Sequence, residues 1–212
     1  FSAAGAPLDK SQRVAELLVE SNLVGHDSHG IIRVAQYVAT IERGEIDPHA
    51  EITVESETDA SAVLDGHWGF GQVVMSQAAF MAVEKAARCG VAALTVRNAN
   101  HIGRLGSYVE HIANRGMVGL LFANMHGSAA CVVPWGGREG RLGTNPLAAG
   151  LPRPNADPIV LDMTTSVVAE GKIRVQRNCG ASVPEGWIID ADGESTTDPA
   201  AFYGPPRGGL LP

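Results

Sequence analysis

Several features that mark particular classes of protein are missing from this sequence. None of its 212 residues falls in an apolar run approaching the roughly 20 residues of a membrane span, and no signal-peptide pattern opens the chain. Basic residues are not in excess, since 16 Lys and Arg stand against 23 Asp and Glu, a formal net charge of -7. Acids and bases are interspersed, so we expect neither a nucleic-acid nor a membrane partner. A small anionic ligand held by a few local Arg and Lys residues is compatible with this balance.

Cysteine is scarce, and its spacing matches no known motif. The three cysteines, Cys89, Cys131 and Cys179, are odd in number and far apart, and no CxxC pattern occurs. This usage is typical of a reduced, cytoplasmic compartment in which cysteines serve as small hydrophobic residues. Patterns of metal sites are also missing, since only His26 and His29 have a ligand-like spacing and HExxH is absent. We therefore expect no metal site, with a metal hydrolase built on this pair as a remote alternative.

The two ends of the sequence are unusual. The chain begins with Phe1 rather than Met, and it ends in "GPPRGGLLP", an apolar stretch that has only begun a new segment. We therefore expect a fragment of a longer protein. Its length is sufficient for one large domain or two small ones with a sizeable core.

Apolar periodicity predicts helices and strands that alternate through the middle of the chain, which indicates an α/β core. The predicted strands are "SAVLDG", "VAALTVRN", "MVGLLFANM" and "PIVLDMTTS", with an extended run in "GTNPLAAGLPR". The predicted helices are "APLDKSQRVAELLVESNLVG", "HDSHGIIRVAQYVATIERG", "QVVMSQAAFMAVEKAARCG", "LGSYVEHIANRG" and "VVAEGKIRVQRN". The first sixty or so residues are predicted to be helical, and few signals follow Cys179. We expect a helical substrate-site segment over 1–58 and an α/β cofactor-binding core over 59–212.

The second predicted helix carries a polar stripe. With Ser28 as its N-cap, His29, Arg33 and Tyr37 fall at i, i+4 and i+8 and share one face. The opposite face is aliphatic and is predicted to pack inward; it consists of Ile31, Val34, Val38 and Ile41. An Arg can hold a carboxylate with two parallel hydrogen bonds while hydroxyl and imidazole groups hold the remaining oxygens. The stripe therefore predicts a carboxylate site, with a solvated polar face as the alternative.

A histidine stands where a predicted strand leads into a predicted helix, in "NANHIGRLGSYVEHIANRG" (98–116). The positive end of that helix would lower the pKa of His101 and keep neutral imidazole available near pH 7. Such a group at a strand end is suited to donating or accepting a proton. A helix-capping histidine without chemistry is the alternative.

Two further stretches match nucleotide-binding patterns only in part. In "GHWGFGQVV" the spacing gives Gly69-x-Gly71-x-x-Val74, but a dinucleotide fingerprint needs Gly or Ala at the third position, so we predict a Gly-rich turn and no Rossmann fold. "VLDMTTSVVAEGK" places Asp162 at a strand end and three hydroxyls at a predicted helix N-terminus. That arrangement suits a phosphate, or it caps the helix with no ligand.

Four stretches in this order resemble the malate/L-lactate dehydrogenase family of the non-Rossmann type: "GHDSHGIIRVAQYV", "NANHIGRLGSYVEHIANRG", "VVPWGGREGRLGTNP" and "IVLDMTTSVVAEGKI". That family also includes ureidoglycolate dehydrogenase, sulfolactate dehydrogenase and cyclic imino-acid reductases. The resemblance covers essentially the whole chain. It implies a malate/L-lactate dehydrogenase-like α/β fold with a cofactor domain unlike the Rossmann fold. Members continue past the equivalent of Pro212 with a Lys/Gly-rich cofactor-binding segment.

The resemblance implies an NAD- or NADP-dependent oxidoreductase that transfers a hydride between nicotinamide and a small 2-hydroxy or 2-oxo acid. His101 would be the general acid and base, and Arg33 would hold the substrate carboxylate. Ser28, His29 and Tyr37 would also line the substrate site. The residues implied to contact the cofactor are Met125, His126, Asn145, Asp162, Met163 and Thr164.

The family resemblance leaves two other functions open and implies an assembly. The substrate could be a cyclic imine, with the hydride delivered to C=N and the same Arg holding the carboxylate. The chain could instead be a truncated, inactive product that retains dinucleotide binding. Members are typically homodimers, so a homodimer is expected here.

Overall fold

The computed structural model describes residues 1–125 and 130–212, and the chain forms two compact units. The first comprises Phe1–Leu120 with Ala149–Val160, and the second comprises Leu121–Ala148 with Leu161–Pro212. The division at residues 58 and 59 concerns functional segments and stays a prediction.

The first unit combines helices with a three-stranded sheet. Its strands have the order β1-β2-β3, with β2 antiparallel to β1 and parallel to β3. A parallel pair needs a crossover connection, and here the long helix α3 supplies it. Helix α3 also packs against α1 and α4. The elements are α1 (Leu8–Leu23), α2 (Val34–Glu42), β1 (Thr53–Glu57), β2 (Ser61–Asp65), α3 (Gly71–Cys89), β3 (Ala93–Arg97) and α4 (Gly106–Ala113).

Strand β1 corrects the expectation that the first sixty residues are helical. All five of its residues are exposed, so no alternation of apolar and polar side chains marks it in the sequence. It exists because it pairs with β2, in a register that runs from Thr53 opposite Asp65 to Glu57 opposite Ala62. Such an edge strand depends on its neighbour more than on its own residues.

The second predicted helix is shorter than its periodicity suggested. Two 3-10 turns, Asp27–His29 and Ile31–Arg33, replace its first part, and the α-helix itself covers Val34–Glu42. Gly30 separates the turns in an extended conformation, and a Cβ there would lie 2.2 Å from Oδ1 of Asn22 on α1. Because Asn22 also accepts the next backbone N–H at 2.8 Å, contact with α1 fixes the break.

The core of the first unit is formed by helices and by the segments that join them. Leu18 of α1 and Phe70, the residue before α3, are both almost fully buried. Tyr37 lies in the same apolar cluster although it carries a hydroxyl. The cluster consists of Ala6, Val14, Leu18, Tyr37, Ile46 and Phe70.

The second unit contains a sheet of very short strands in the order β8-β7-β9. Strands of two residues leave almost no periodic signal, which explains why the sequence beyond Cys179 gave few predictions. A separate apolar cluster supports them: Cys131, Val132, Val168, Ile173, Val183, Ile188, Phe202 and Leu210. The elements are α5 (Glu170–Asn178), β7 (Ile188–Ile189), β8 (Ser195–Thr196), α6 (Pro199–Tyr203) and β9 (Gly209–Leu210).

A third sheet has the strand order β4-β5-β6. Its strands are β4 (Gly119–Phe122), β5 (Leu147–Arg153) and β6 (Ala156–Met163). All three lie where strands or extended runs were predicted, and these predictions are confirmed.

The cysteines fit their predicted role only in part. All three are free, but Cys131 alone is buried, whereas Cys89 and Cys179 are exposed. Burial supports the expected role as a small hydrophobic residue for Cys131, whereas the other two lie exposed at the C-terminal ends of α3 and α5.

Over residues 1–125 and 130–212, none of the helices has the length and apolar character that crossing a membrane requires.

Candidate active site around His101

His101 lies in the loop between β3 and α4, and other rings hold its side chain. Its Nδ1 is 2.6 Å from the hydroxyl oxygen of Tyr37. Its ring stacks on that of His29, with centroids 5.2 Å apart and an interplanar angle of 23°. Helix α4 begins only at Gly106, so the expectation that His101 stands at the helix N-terminus is wrong.

Gly71 explains how the His101 loop approaches the start of α3. A Cβ on Gly71 would lie 2.2 Å from the carbonyl oxygen of Asn100 and 2.5 Å from that of His101. Any other residue would push the loop away. The Gly-rich turn is thus required for close packing against this loop, which is a different role from cradling a pyrophosphate.

Asn100 fixes the same loop from its other side. Its side-chain amide donates to the carbonyl oxygens of Trp68, at 2.5 Å, and of Glu45, at 3.0 Å. Asn100 and the close approach to Gly71 therefore anchor the loop on both sides, so that His101 is placed by backbone packing as well as by its ring contacts.

Tyr37 links His101 to a residue that sequence reasoning missed. The side chain of Gln72 on α3 is fully buried, and its Nε2 donates to the hydroxyl oxygen of Tyr37 at 2.7 Å. Burial raises the pKa of Tyr37 to about 12, so the phenol is neutral near pH 7. The available signal was a lone amide in the otherwise apolar first turn "GFGQVVM".

His29 is a neutral ring in positively charged surroundings. Burial is the main cause that lowers the pKa of His29 to about 3, followed by the charges of Arg33, His26 and Arg104. Its Nδ1 lies 3.0 Å from the hydroxyl of Ser28. The positive charges among these causes also favour an anion beside the ring, whereas burial disfavours a charge of either sign.

Arg33 is buried and hydrogen-bonded within its own segment. Its Nε donates to the carbonyl oxygen of Ser28 at 2.7 Å, and its Nη1 donates to Oε1 of Gln36 at 2.8 Å. These bonds fix the plane of the guanidinium group. That Arg33 holds a substrate carboxylate stays a prediction, and a ligand at Nη1 would share or displace Gln36.

The structure brings the predicted substrate-site residues together with His101, but the aliphatic face of this segment packs only partly as predicted. Ile41 does contact the apolar cluster of the first unit. Ser28, Arg33 and Tyr37 are buried, whereas Ile31 and Val34 are 61% and 39% exposed. The two 3-10 turns change the rotation of successive side chains, so the helical stripe does not exist as such. The polar groups can be buried because they bond to one another and to Gln72.

A second group of predicted residues gathers around Thr144 in the second unit. The backbone N–H of Met125 donates to Oδ1 of Asn145 at 3.3 Å, and the hydroxyl of Thr164 donates to the carbonyl oxygen of Thr144 at 2.8 Å. Asp162 and Met163 end β6 directly before Thr164. His126 lies outside the described residues. Thr144 itself was not predicted.

The hydroxyl group cluster before α5 is not at a helix N-terminus, contrary to the prediction. Helix α5 begins at Glu170 after an N-cap at Ala169, so the hydroxyls precede it by several residues. Thr164 and Thr165 donate to the carbonyl oxygen of Thr144, and Ser166 donates to that of Val168. The predicted helix was extended too far towards its N-terminus because "SVVAEG" continues the apolar pattern.

The two histidines considered as metal ligands lie in contact with each other. His26 and His29 meet edge to face with centroids 4.6 Å apart. Within the described part of the chain, no three His, Cys, Asp or Glu side chains are grouped so as to hold a metal ion.

A family model described as malate/L-lactate dehydrogenase matches residues 1–212, the whole chain. The chain belongs to the malate/L-lactate dehydrogenase family. The family resemblance read from the four motifs is therefore confirmed, and so is the malate/L-lactate dehydrogenase-like fold. The solved structure of malate dehydrogenase from Entamoeba histolytica superimposes with a TM-score of 0.91 at 33% identity, covering 99% of this chain and 58% of that one.

Relatives within the family differ in the substrates that their names state. Hydroxycarboxylate dehydrogenase B of Escherichia coli O157:H7 is 38% identical over 211 residues, which are 100% of this chain and 58% of that protein. A Δ1-pyrroline-2-carboxylate/Δ1-piperideine-2-carboxylate reductase of Pseudomonas putida is 39% identical over 188 residues, 89% of this chain and 54% of that protein. The chain thus spans little more than half the length of these relatives, and the family includes both hydroxy-acid dehydrogenases and imino-acid reductases.

Proposed function

We propose that this chain provides the acid–base and substrate-binding part of an NAD- or NADP-dependent oxidoreductase that interconverts a small 2-hydroxy acid and a 2-oxo acid. The observation that carries the proposal is the placement of His101, bonded to Tyr37 and stacked on His29. Membership of the family supports it, because the relatives named above are dehydrogenases and reductases.

His101 has the properties of a general acid and base. A hydride that reaches a carbonyl carbon leaves negative charge on the oxygen, and a positioned imidazole supplies the proton. In the reverse direction the same ring takes the proton of the hydroxyl group. Packing on both sides of its loop and the Tyr37 hydroxyl hold the ring in one orientation, which lowers the entropic cost of reaching the reactive geometry.

The substrate carboxylate is assigned to Arg33. Arg33 and Arg104 both act on His29, so their charges make the potential positive at the ring that stacks on His101. Ser28, whose hydroxyl lies beside His29, is positioned to bond a second substrate oxygen. A 2-oxo acid carries its carboxylate next to its carbonyl, so one group can bind at Arg33 while the other is presented to His101.

The residues around Thr144 fit the polar and apolar parts of a nicotinamide dinucleotide. Met125 and Met163 are partly exposed thioethers, which can pack on a planar ring. Asn145, Asp162 and Thr164 add polar groups beside them, and His126 completes the assigned set. When bound, this cofactor supplies or accepts the hydride. NAD and NADP are both compatible with these residues.

The second candidate is a cyclic imino-acid reductase, and the reductase of Pseudomonas putida is the observation that favours it. Its substrates, as named, are cyclic imines with a carboxylate. Arg33 would hold that carboxylate, and His101 would protonate the nitrogen as the hydride reaches carbon. The two candidates differ in the atom that His101 meets, so a substrate panel separates them.

We also propose a homodimer in the cytoplasm. The exposed aliphatic side chains of α1, above all Leu23 at 82% exposure and Val19 at 49%, support the dimer because apolar groups gain free energy when covered. Three free cysteines support a reduced compartment. Sedimentation of the wild-type chain and of Leu23→Glu tests the dimer. The wild type should sediment as a dimer and Leu23→Glu as a monomer, and a monomeric wild type would contradict the proposal.

The function is tested by following absorbance at 340 nm with NADH and then with NADPH. The substrates are pyruvate, oxaloacetate, sulfopyruvate and a cyclic imino acid, and His101→Ala is the matched control. We expect turnover that falls by about 10²- to 10⁴-fold in the control, the range typical of a lost general acid or base. Turnover that survives in His101→Ala would overturn the acid–base assignment. Nucleotide binding without turnover of any substrate would favour the inactive alternative.

A further inference from the structure

Gln72 is a buried amide that forms a hydrogen bond through only one of its two ends. Its Nε2 donates to Tyr37, whereas its Oε1 is buried without a hydrogen-bond partner. A Met or Leu side chain would fill the same space with no polar group left unpaired. An amide retained in such a place points to a role beyond packing, because buried polar groups without partners are rare.

The bonds around Tyr37 run in one direction. A neutral phenol has a single proton, and its oxygen here accepts from Gln72 at 2.7 Å. Among the described residues the other partner of this hydroxyl is Nδ1 of His101, 2.6 Å away, which therefore accepts the phenol proton. An imidazole nitrogen that accepts carries no proton, so in the neutral ring of His101 the proton lies on Nε2.

The side-chain amide of Gln72 can reverse the direction of these hydrogen bonds. A half turn about its last side-chain bond exchanges Nε2 and Oε1, so that Tyr37 donates to Oε1 and accepts from His101. The neutral ring then carries its proton on Nδ1, and Nε2 becomes a proton acceptor. Either orientation leaves one end of the amide unpaired, so neither is favoured by the number of bonds that Gln72 makes.

Packing keeps the amide at the phenol in both orientations. Gln72 follows Gly71, whose backbone meets the His101 loop, and a Cβ on Gly103 would lie 3.4 Å from Nε2 of Gln72. The start of α3 and the His101 loop thus enclose the side chain. Rigid enclosure of this kind is what holds a supporting group in register with a reacting group.

We propose that Gln72 is a positioning residue that sets, through Tyr37, which ring nitrogen of His101 carries the proton. The proposal rests on the proposed function, in which His101 meets the substrate oxygen. In the direction seen here, protonated Nε2 is suited to donate a hydrogen bond to a carbonyl oxygen. The reversed direction provides the unprotonated Nε2 that accepts a proton from a hydroxy acid.

The test is ¹⁵N NMR of the chain with labelled histidine, without substrate, at a pH where the ring of His101 is neutral. The signals of His101 are assigned by their loss in His101→Gln. We expect the Nε2–H tautomer in the wild type. Gln72→Glu should shift the population to Nδ1–H or to the doubly protonated ring, because a carboxylate can only accept from Tyr37. Gln77→Glu, the same change at an exposed position of α3, should leave the signals in place.

Two further variants keep the test decisive if Gln72→Glu does not fold. Gln72→Met is apolar and of similar size, and it should give a mixture of tautomers. In a Tyr37→Phe background, Gln72→Met should no longer move the signals, since the proposed connection is already broken. A wild type in the Nδ1–H form, or a folded Gln72→Met with the wild-type signals, would overturn the proposal.

Turnover separates this proposal from the proposed function. In active protein, Gln72→Met should lower kcat roughly tenfold, because the hydrogen bond from Gln72 to Tyr37 is lost. KM should change less than about twofold, because the residues that contact the substrate are unchanged. If the NMR signals respond as expected but no substrate is turned over, the proposed function fails and the inference about Gln72 stands. If substrates are turned over but the tautomer of His101 ignores residue 72, the inference alone fails.

Discussion

The buried cluster around His101 and the hydroxyl cluster around Thr144 are two polar regions built in opposite ways. In the first, side chains bond to side chains far apart in sequence: Tyr37 joins Gln72, 35 residues away, to His101, 64 residues away. In the second, several groups converge on one backbone oxygen, that of Thr144, which accepts from Thr164 Oγ1, Thr165 N and Thr165 Oγ1.

The two regions therefore differ in how strongly each depends on a single residue. A chain of side chains is broken by the loss of any one member, and the groups on both sides lose a partner. A shared carbonyl oxygen keeps its remaining donors when one is removed. Substitutions in the His101 cluster should therefore have larger effects than chemically similar ones around Thr144.

Among substitutions that keep His101, the largest effect is expected for Arg33→Ala. If Arg33 holds the substrate carboxylate, KM should rise about 10- to 100-fold, since hydrogen bonds to charged groups contribute roughly 1.5–3 kcal/mol. Arg43→Ala is the control, because Arg43 is an exposed residue paired with Glu45 and its loss should leave KM within about twofold. Steady-state kinetics with a 2-oxo acid make the measurement, and an unchanged KM in Arg33→Ala would contradict the assignment.

Gly71→Ala should destabilise the fold by about 1–3 kcal/mol, the usual cost of overpacking. The added Cβ would overlap the carbonyl oxygens of Asn100 and His101, so the loop must move. For a protein of this size the expected fall in Tm is roughly 2–12 °C. Gly44→Asn is the control: Gly44 has a φ of +70°, a Cβ added there would meet no other part of the described chain within 4 Å, and Asn tolerates that conformation. Equal melting temperatures for Gly71→Ala and the wild type would refute the close approach.

Acid should destabilise the His101 cluster through His29. The pKa of His29 is lowered from 6.5 to about 3, so between these values the unfolded chain binds a proton that the folded chain excludes. His29 therefore does not lower the free energy of unfolding above pH 6.5. As the pH falls from 6.5 towards 3, the free energy of unfolding decreases by roughly 1.4 kcal/mol per pH unit. The free energy of unfolding, measured with urea between pH 7 and 4, should depend less steeply on pH in His29→Gln than in the wild type. His49→Gln, at an exposed position, is the control and should keep the pH dependence of the wild type. The same pH dependence in His29→Gln and the wild type would exclude His29 as the cause of acid destabilisation.

The smallest effect is expected for Thr164→Val, at about 0.5–1.5 kcal/mol for the bond to Thr144, because Ser166, the other partner of the Thr164 hydroxyl, keeps its bond to the carbonyl oxygen of Val168. The carbonyl oxygen of Thr144 keeps Thr165 N at 3.0 Å and Thr165 Oγ1 at 3.1 Å. Tyr37→Phe is the matched hydroxyl deletion in the other region, and it removes a partner from both Gln72 and His101. Urea unfolding should rank Tyr37→Phe as the more destabilising; the opposite order would remove the distinction between the two regions.

Much of the fold could be predicted because its main elements have long, clear patterns. Helices α1, α3 and α4 and strands β2 and β3 follow from apolar periodicity with glycines at their ends. Strand β1 could not be predicted, since its residues are exposed and only the pairing with β2 defines it. The strands of two residues near the C-terminus are too short to carry a period.

The candidate site was predicted in its residues but not in its contacts. Ser28, His29, Arg33, Tyr37 and His101 do gather, yet the helical stripe that suggested the first four is interrupted at Gly30. Two of the four side chains expected to pack inward, Ile31 and Val34, are exposed. Periodicity assumes an unbroken helix, and contact with Asn22 of α1 breaks it.

The sequence by itself determined the family, the alternation of helices and strands, and the residue types available for proton transfer and carboxylate binding. Only the tertiary structure decided that the hydroxyl of Tyr37 bonds to His101 and that a fully buried Gln72 bonds to Tyr37. It also decided that Gly71 serves the approach of the His101 loop. The physical reason is that these relations join residues 29 to 64 positions apart, and no local period records a contact made through packing.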